Sequence, residues 1–216
     1  METVSIVYVT WAMNESRSKA MKTSILSLIE TTPEAEIIVA DNGGSLEDSE
    51  FLLRLCNEGK IASYTRYRNN MHFAYARNDC LTRATGDYIA ICDNDIIFCA
   101  GWLGKCVGFL KRHKGKYLTT PLEIIGTQKK YSFGKVGDWI LNTRAGSNCW
   151  VMRKEDFEVL GNFSIHPIAG TYWVNNYLSK GYIMACMPRP RAKNVGRRWT
   201  RFKGYDQRKP IENFKL

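Results

Sequence analysis

Asp93 and Asp95 are separated by a single residue. They follow the apolar run Tyr88-Ile-Ala-Ile-Cys92 and precede Ile96-Ile97-Phe98. Two carboxylates set between apolar walls repel each other and lose hydration, an arrangement that normally requires a cation or hydrogen-bond donors. Hard Mg2+ or Mn2+ suits one or two carboxylates completed by phosphate oxygens of a substrate. A cation held there would act as a Lewis acid on a departing phosphate. The alternative is a polar turn closing a strand, because Asp-x-Asp alone is a common triplet.

The elements around this pair read as alternating strands and helices. Thr3–Val9 is a buried strand by its Val and Ile content. Asn14-Glu15-Ser16 supplies cap residues, and Met21, Ile25, Leu28 and Ile29 mark one helical face closed by Pro33. Glu36–Ala40 is a second strand ending in the loop Asp41-Asn42-Gly43-Gly44. Phe51, Leu52 and Leu55 mark a helix stopped at Gly59, Ile61–Tyr67 reads as a third strand and Ala74–Ala84 as a helix. Asp87–Cys92 is a fourth strand. This order predicts an α/β sheet, mostly parallel and covered on both faces. Ligands of such sheets bind beyond the carboxyl ends of the strands, near a switch in strand order. Thr10, Asp41 and the Asp93/Asp95 pair all fall on that edge.

After residue 115 the pattern loosens. Tyr117–Pro121, Cys149–Met152 and Tyr182–Met187 read as strands, Glu155–Leu160 and Thr171–Lys180 as helices, and Lys129–Asn148 as a mobile polar loop. A chain of 216 residues predicts one domain, and its 44% hydrophobic and 24% charged content excludes wholesale disorder. No stretch is apolar for the roughly 18 residues of a membrane span. The N-terminus lacks a basic region before its apolar run, so no secretion signal is expected. Seven cysteines without a Cys-x-x-Cys pair predict a reduced, cytoplasmic protein with no zinc site, and Cys92, Cys99 and Cys106 read as small core residues.

Four linked segments carry a resemblance. They are Thr3-Val-Ser-Ile-Val-Tyr-Val-Thr-Trp11, Ile37-Ile-Val-Ala-Asp-Asn-Gly43, Asn70-Met-His-Phe-Ala-Tyr-Ala-Arg-Asn78 and Gly86-Asp-Tyr-Ile-Ala-Ile-Cys-Asp-Asn-Asp95. In this order and spacing they resemble the donor-binding half of GT-A glycosyltransferases of the family-2-like group. The likeness is good over residues 3–112 and weaker over 146–187. It implies a GT-A domain over residues 1–188, with a donor-nucleotide half (1–112) and an acceptor half (113–188). It implies transfer of a sugar from a nucleotide sugar, a UDP-sugar by expectation, with Mn2+ or Mg2+ as cofactor and a glycan, lipid or DNA as acceptor.

The same resemblance implies residue roles. Thr10 and Trp11 stand where the family places Thr and an aromatic against the nucleobase, although Val9 replaces the frequent Pro. Asp41 matches the carboxylate that accepts a hydrogen bond from uracil, and Arg77 matches a basic position near the donor. Asp93 matches the ribose-side or metal-side carboxylate and Asp95 the direct metal ligand. One departure concerns the base that takes the acceptor proton. The acid expected before the helix Thr171–Lys180 is missing, since Gly170, Thr171 and Tyr172 occupy those positions. His166 and Asp138 are the nearest titratable candidates, His having a pKa suited to the task.

The formal net charge is +10, and residues 189–216 hold ten Lys or Arg against two acids, a local +8. Bases there alternate with Trp199, Phe202 and Tyr205. One reading is a lid over the donor diphosphate, with Arg197 and Arg198 clamping phosphates. A second is a nucleic-acid arm, which would suit glycosylation of a modified base in DNA or a non-enzymatic nucleic-acid-binding module. A third is a solvated tail. No G-x-G-x-x-G follows the first strand, which argues against an NAD-binding domain.

Overall fold

Consecutive apolar residues in Val4–Thr10 (β1) are explained by a sheet buried on both faces. The computed structural model describes residues 2–122, 126–144, 148–165 and 169–195. After β1 come α1 (Glu15–Thr31), β2 (Glu36–Asp41), α2 (Leu46–Asn57), β3 (Ser63–Arg66), α3 (Phe73–Arg83) and β4 (Tyr88–Asp93). The chain continues through β5 (Ile96–Phe98), α4 (Trp102–Arg112), β6 (Tyr117–Thr120), a 3-10 turn (Gly126–Tyr131), β7 (Ser132–Val136) and β8 (Trp139–Asn142). It closes with β9 (Cys149–Arg153), α5 (Lys154–Leu160), α6 (Ala169–Ser179), β10 (Ile183–Cys186) and β11 (Ala192–Asn194).

Nine strands form one sheet in the order β3-β2-β1-β4-β9-β6-β10-β8-β7, and β11 pairs with β5 apart from it. Strands β3, β2, β1 and β4 are parallel. Only β9 and β8 run against the common direction. Side-chain alternation divides the core. Ile6, Tyr8, Ile37, Val39, Ala90 and Cys92 pack with residues of α1, α2 and α4 on one face. Val7, Ile38, Ala40, Ile89 and Ile91 pack with residues of α3, α5 and α6 on the other. The helix ends follow their sequence signals: Asn14 caps α1 by accepting from the Arg17 N–H at 3.0 Å, and Ser45 caps α2.

Three expectations are corrected. Within Lys129–Asn148 the chain is not a plain loop: it builds the β7–β8 hairpin at the edge of the sheet. Its alternation was masked because β7 lies at the sheet edge and leaves Phe133 exposed. The basic segment does not separate from the domain at 188. Residues 192–194 pair with β5, and the Cys99 N–H donates to the Arg191 carbonyl at 2.7 Å. Finally, Cys92 and Cys106 are buried as expected, whereas Cys99 is exposed. Among the described residues no helix is long and apolar enough to cross a membrane.

Candidate active site

The switch in strand order falls at β1, which has β2 on one side and β4 on the other. Register sets the polar strand ends side by side, with Thr10 beside Asp41 and Val9 beside Asp93. The structure thus brings Thr10, Asp41, Arg77, Asp93 and Asp95 to one edge.

Asp93 is held from two directions. Arg77 on α3 forms an ion pair with its Oδ1, and the Asn148 amide donates to its Oδ2 at 2.9 Å. The Asp93 N–H also donates to the Asn148 carbonyl at 2.8 Å. The Arg77 guanidinium lies 5.0 Å from the Phe73 ring and 5.4 Å from the Phe163 ring, so its position is fixed by cation–π packing. Burial raises the Asp93 carboxyl above its ordinary range, and the Arg77 charge and Asn148 oppose the rise.

Asp95 has weaker compensation. The Asn194 amide donates to its Oδ1 at 2.9 Å, and the Val195 N–H donates to its backbone carbonyl at 2.8 Å. Burial pushes the carboxyl up to about 6, with the Asp93 charge adding to the shift and Arg17 and Asn194 opposing it. On the same Asn194 amide, Oδ1 is buried without a hydrogen-bond partner. A partly buried carboxylate short of positive charge beside an orphaned amide oxygen is a donor set that fits a hard divalent cation. No group of three His, Cys, Asp or Glu gathers among the described residues, so the remaining ligands would come from substrate and water.

Asp41 is fully buried. Its Oδ1 accepts from the Gly44 N–H at 2.8 Å, and its Oδ2 accepts from the Ser49 hydroxyl and from the Tyr64 hydroxyl at 3.2 Å. Arg66 lies 3.8 Å away. These bonds organise the loop after β2. Gly43, at φ +87°, lets the next loop approach, since a Cβ there would lie 2.8 Å from the Asn69 carbonyl carbon. Asn42 completes the seam by donating to Asn70 Oδ1 at 2.9 Å and accepting from the Met71 N–H at 2.8 Å. Thr10 is buried and its hydroxyl accepts from the Asn94 amide at 3.0 Å, while Trp11 is only partly buried.

Asn94, Asn148 and Asn194 were not found as partners of the site from the sequence, because a single asparagine in a turn or at the end of a three-residue strand carries no periodicity. Asp138 stands exposed in the β7–β8 turn beside Gly137. The adjoining strand β8 is separated from β4 by β9, β6 and β10, roughly 19 Å at the usual strand spacing. His166, Arg197 and Arg198 lie outside the described residues.

A parallel β3-β2-β1-β4 unit carrying paired acids beyond its switch point, extended by a mixed sheet, defines a GT-A-like fold. The chain belongs to glycosyl transferase family 2, whose model matches residues 8–161. It is 30% identical over 108 residues to an uncharacterized glycosyltransferase of Rickettsia bellii (strain RML369-C), a match spanning 50% of this chain and 16% of that protein. Its fold resembles that of a crystal structure of GalNAc-T7 with UDP, GalNAc and Mn2+, with a TM-score of 0.71 and 16% identity, over 90% of this chain and 43% of that one. It also resembles S. aureus TarS 1-349, with a TM-score of 0.63 and 15% identity, over 86% of this chain and 58% of that one.

Proposed function

We propose that this chain is a metal-dependent glycosyltransferase that moves a sugar from a nucleotide sugar, specifically a UDP-sugar, to an acceptor hydroxyl. The observation that carries the reading is Asp95, a partly buried carboxylate short of counter-charge at the strand switch, with the unpartnered Asn194 oxygen on its own hydrogen-bonding amide. Family membership supports sugar transfer, and the UDP and Mn2+ in the similarly folded GalNAc-T7 structure support the donor and the metal.

In this reading Asp95 and Asn194 would hold Mn2+ or Mg2+, with Asp93 beside them. When bound, the cation stabilises the negative charge that develops on the departing diphosphate. Arg77 holds Asp93 in place and opposes the rise that burial imposes on its carboxyl. Thr10, Trp11 and the Asp41 loop face the nucleobase. Asp138 reaches the reacting sugar only if its hairpin moves, which leaves His166 as the first choice to accept the acceptor proton. Arg197 and Arg198 are assigned to the diphosphate by their guanidinium chemistry alone. A non-enzymatic nucleic-acid module is disfavoured because the acids on the binding edge repel phosphates.

The test is turnover of a panel of nucleotide sugars with Mn2+, Mg2+ or chelator, alone and with glycan, lipid or DNA acceptors. Metal-dependent consumption of a UDP-sugar is expected. Turnover that survives chelation, or none with any donor, would overturn the proposal.

A further inference from the structure

The β7–β8 hairpin and the 3-10 turn before it form a cleft of about 400 Å³, lined by Lys129, Ser132, Gly134, Lys135 and Ile140. Ligand pockets commonly fall between roughly 300 and 1,000 Å³. Register explains why these side chains meet. Lys135 lies opposite Ile140, and Ser132 lies opposite Asn142, so all four belong to one face of the hairpin. The register shift between Ser132 and Gly134 takes up the extra residue, Phe133, and keeps Ser132 and Lys135 on that face. Lys129 joins them from the turn.

The polar groups of the cleft are donors. Neither Lys129 nor Lys135 has an ion-pair partner among the described residues. The Ser132 hydroxyl accepts from the Asn142 amide at 3.0 Å, which leaves its own proton to donate. No carboxylate lines the cleft, and Ile140 with the lysine stems supplies an apolar wall. Two further cations stand on the Tyr131 ring, Lys130 at 5.1 Å and Arg144 at 5.0 Å from its centroid. The Thr143 N–H, donating to the Tyr131 carbonyl at 3.2 Å, holds this end of the hairpin together. A lysine on an edge strand also discourages pairing with other chains. That accounts for Lys135 but not for Lys129, which stands on the turn.

We infer that this cleft binds an anionic sugar unit of the acceptor, with its carboxylate or phosphate between Lys129 and Lys135 and its ring against Ile140, so that the acceptor is an acidic glycan. This rests on the sugar-transfer reading above. Strand β7 is five strands from β4, roughly 24 Å at the usual spacing, which is too far for a donor held at Asp95. The unit therefore belongs to a chain whose reacting hydroxyl lies elsewhere along it. No aromatic ring lines the cleft, so the bases of a single-stranded nucleic acid have no surface to stack on, which favours a saturated anionic chain.

The test compares the wild type with Lys129→Ala/Lys135→Ala and with a charge-matched control, Lys19→Ala/Lys105→Ala, whose lysines are exposed on α1 and α4. Each full chain is titrated by calorimetry with oligogalacturonate, phosphorylated mannan oligosaccharide, neutral dextran oligosaccharide, a single-stranded DNA oligonucleotide and UDP. The expected result is that at least one acidic glycan binds the wild type, about tenfold more weakly the cleft variant, and within twofold the control, with UDP affinity unchanged throughout. Loss with only the carboxylate or only the phosphate chain identifies which anion the cleft takes. Equal losses in the cleft variant and the control would reduce the effect to net charge and overturn the inference. So would binding of dextran as tight as that of the acidic chains, no binding of either acidic chain, or a cleft-dependent affinity for DNA exceeding that for both. A wild type that binds an acidic glycan through the cleft but binds no UDP refutes the UDP-donor reading and, with it, the acceptor role of the cleft.

Discussion

Arg77 and Asp93 form an ion pair between the middle of α3 and the end of β4, and it makes the two acids of the Asp-x-Asp unequal. Asp93 has its counter-charge inside the protein. Asp95 has amides beside it and only the more distant influence of Arg17. The first acid is therefore compensated from within the protein, and the second is the one that the proposed cation would compensate.

Replacing Arg77 with Ala should destabilise the fold by about 3 kcal/mol, because the Asp93 charge is then left without its partner. The Arg77→Met, Asp93→Asn double variant should recover part of that loss. Urea melts of the single and double variants check this. Additive losses would show that the two side chains do not act together.

Asp95→Asn should abolish metal-stimulated turnover and leave the fold intact. It should also make the chelated protein more stable at pH 7, by about 1–3 kcal/mol. The sign follows from the raised carboxyl: its pKa of about 6 in the folded protein exceeds the ordinary 3.8, so ionising it costs stability. That cost is complete above pH 6 and absent below pH 4. Melts in chelator from pH 4 to 8 should therefore show the two proteins diverging as pH rises. Parallel melting curves would contradict the shift.

Asp41→Asn should weaken UDP by about ten- to a hundredfold if the carboxylate reads uracil. It should also destabilise the protein, because the amide cannot accept from all of Gly44, Ser49 and Tyr64. Tyr64→Phe separates the two effects, since it removes one bond to Asp41 and should leave UDP affinity within twofold. If both variants lose UDP in proportion to their stability, Asp41 serves the loop and does not read the base.

Truncation of the basic segment should begin after Val195. A cut at 189 would remove β11 and with it the Asn194 contact to Asp95. Deleting 196–216 should weaken UDP and raise hydrolysis relative to transfer if the segment is a diphosphate lid. Unchanged UDP affinity together with loss of a steeply salt-dependent DNA affinity would instead identify a nucleic-acid arm.

The parallel part of the sheet was legible because its strands are buried on both faces and read as unbroken apolar runs, as in Ile37–Ala40 and Ile89–Cys92. Asn14, Pro33 and Gly59 marked the helix ends with chemistry local to a few residues. The β7–β8 hairpin was not legible, because an edge strand with Phe133 and Lys135 outward lacks the apolar alternation of a core strand. Three-residue β5 and β11 are shorter than any periodicity can register. The acids of the site were found because they follow strands, whereas their partners were not. Asn148 and Asn194 reach Asp93 and Asp95 across 55 and 99 residues of chain.

The separation between Asp95 and Asn194 also bears on synthesis. By the time β10 has emerged from the ribosome, every strand of the large sheet is available to pair, and the Arg77–Asp93 bridge can close. The partner of Asp95 arrives only with residues 192–195. A nascent chain released earlier would own the complete nine-stranded sheet but lack the Asn194 oxygen. The order of translation thereby delays the pairing of Asp95 with Asn194 until the rest of the domain can already stand.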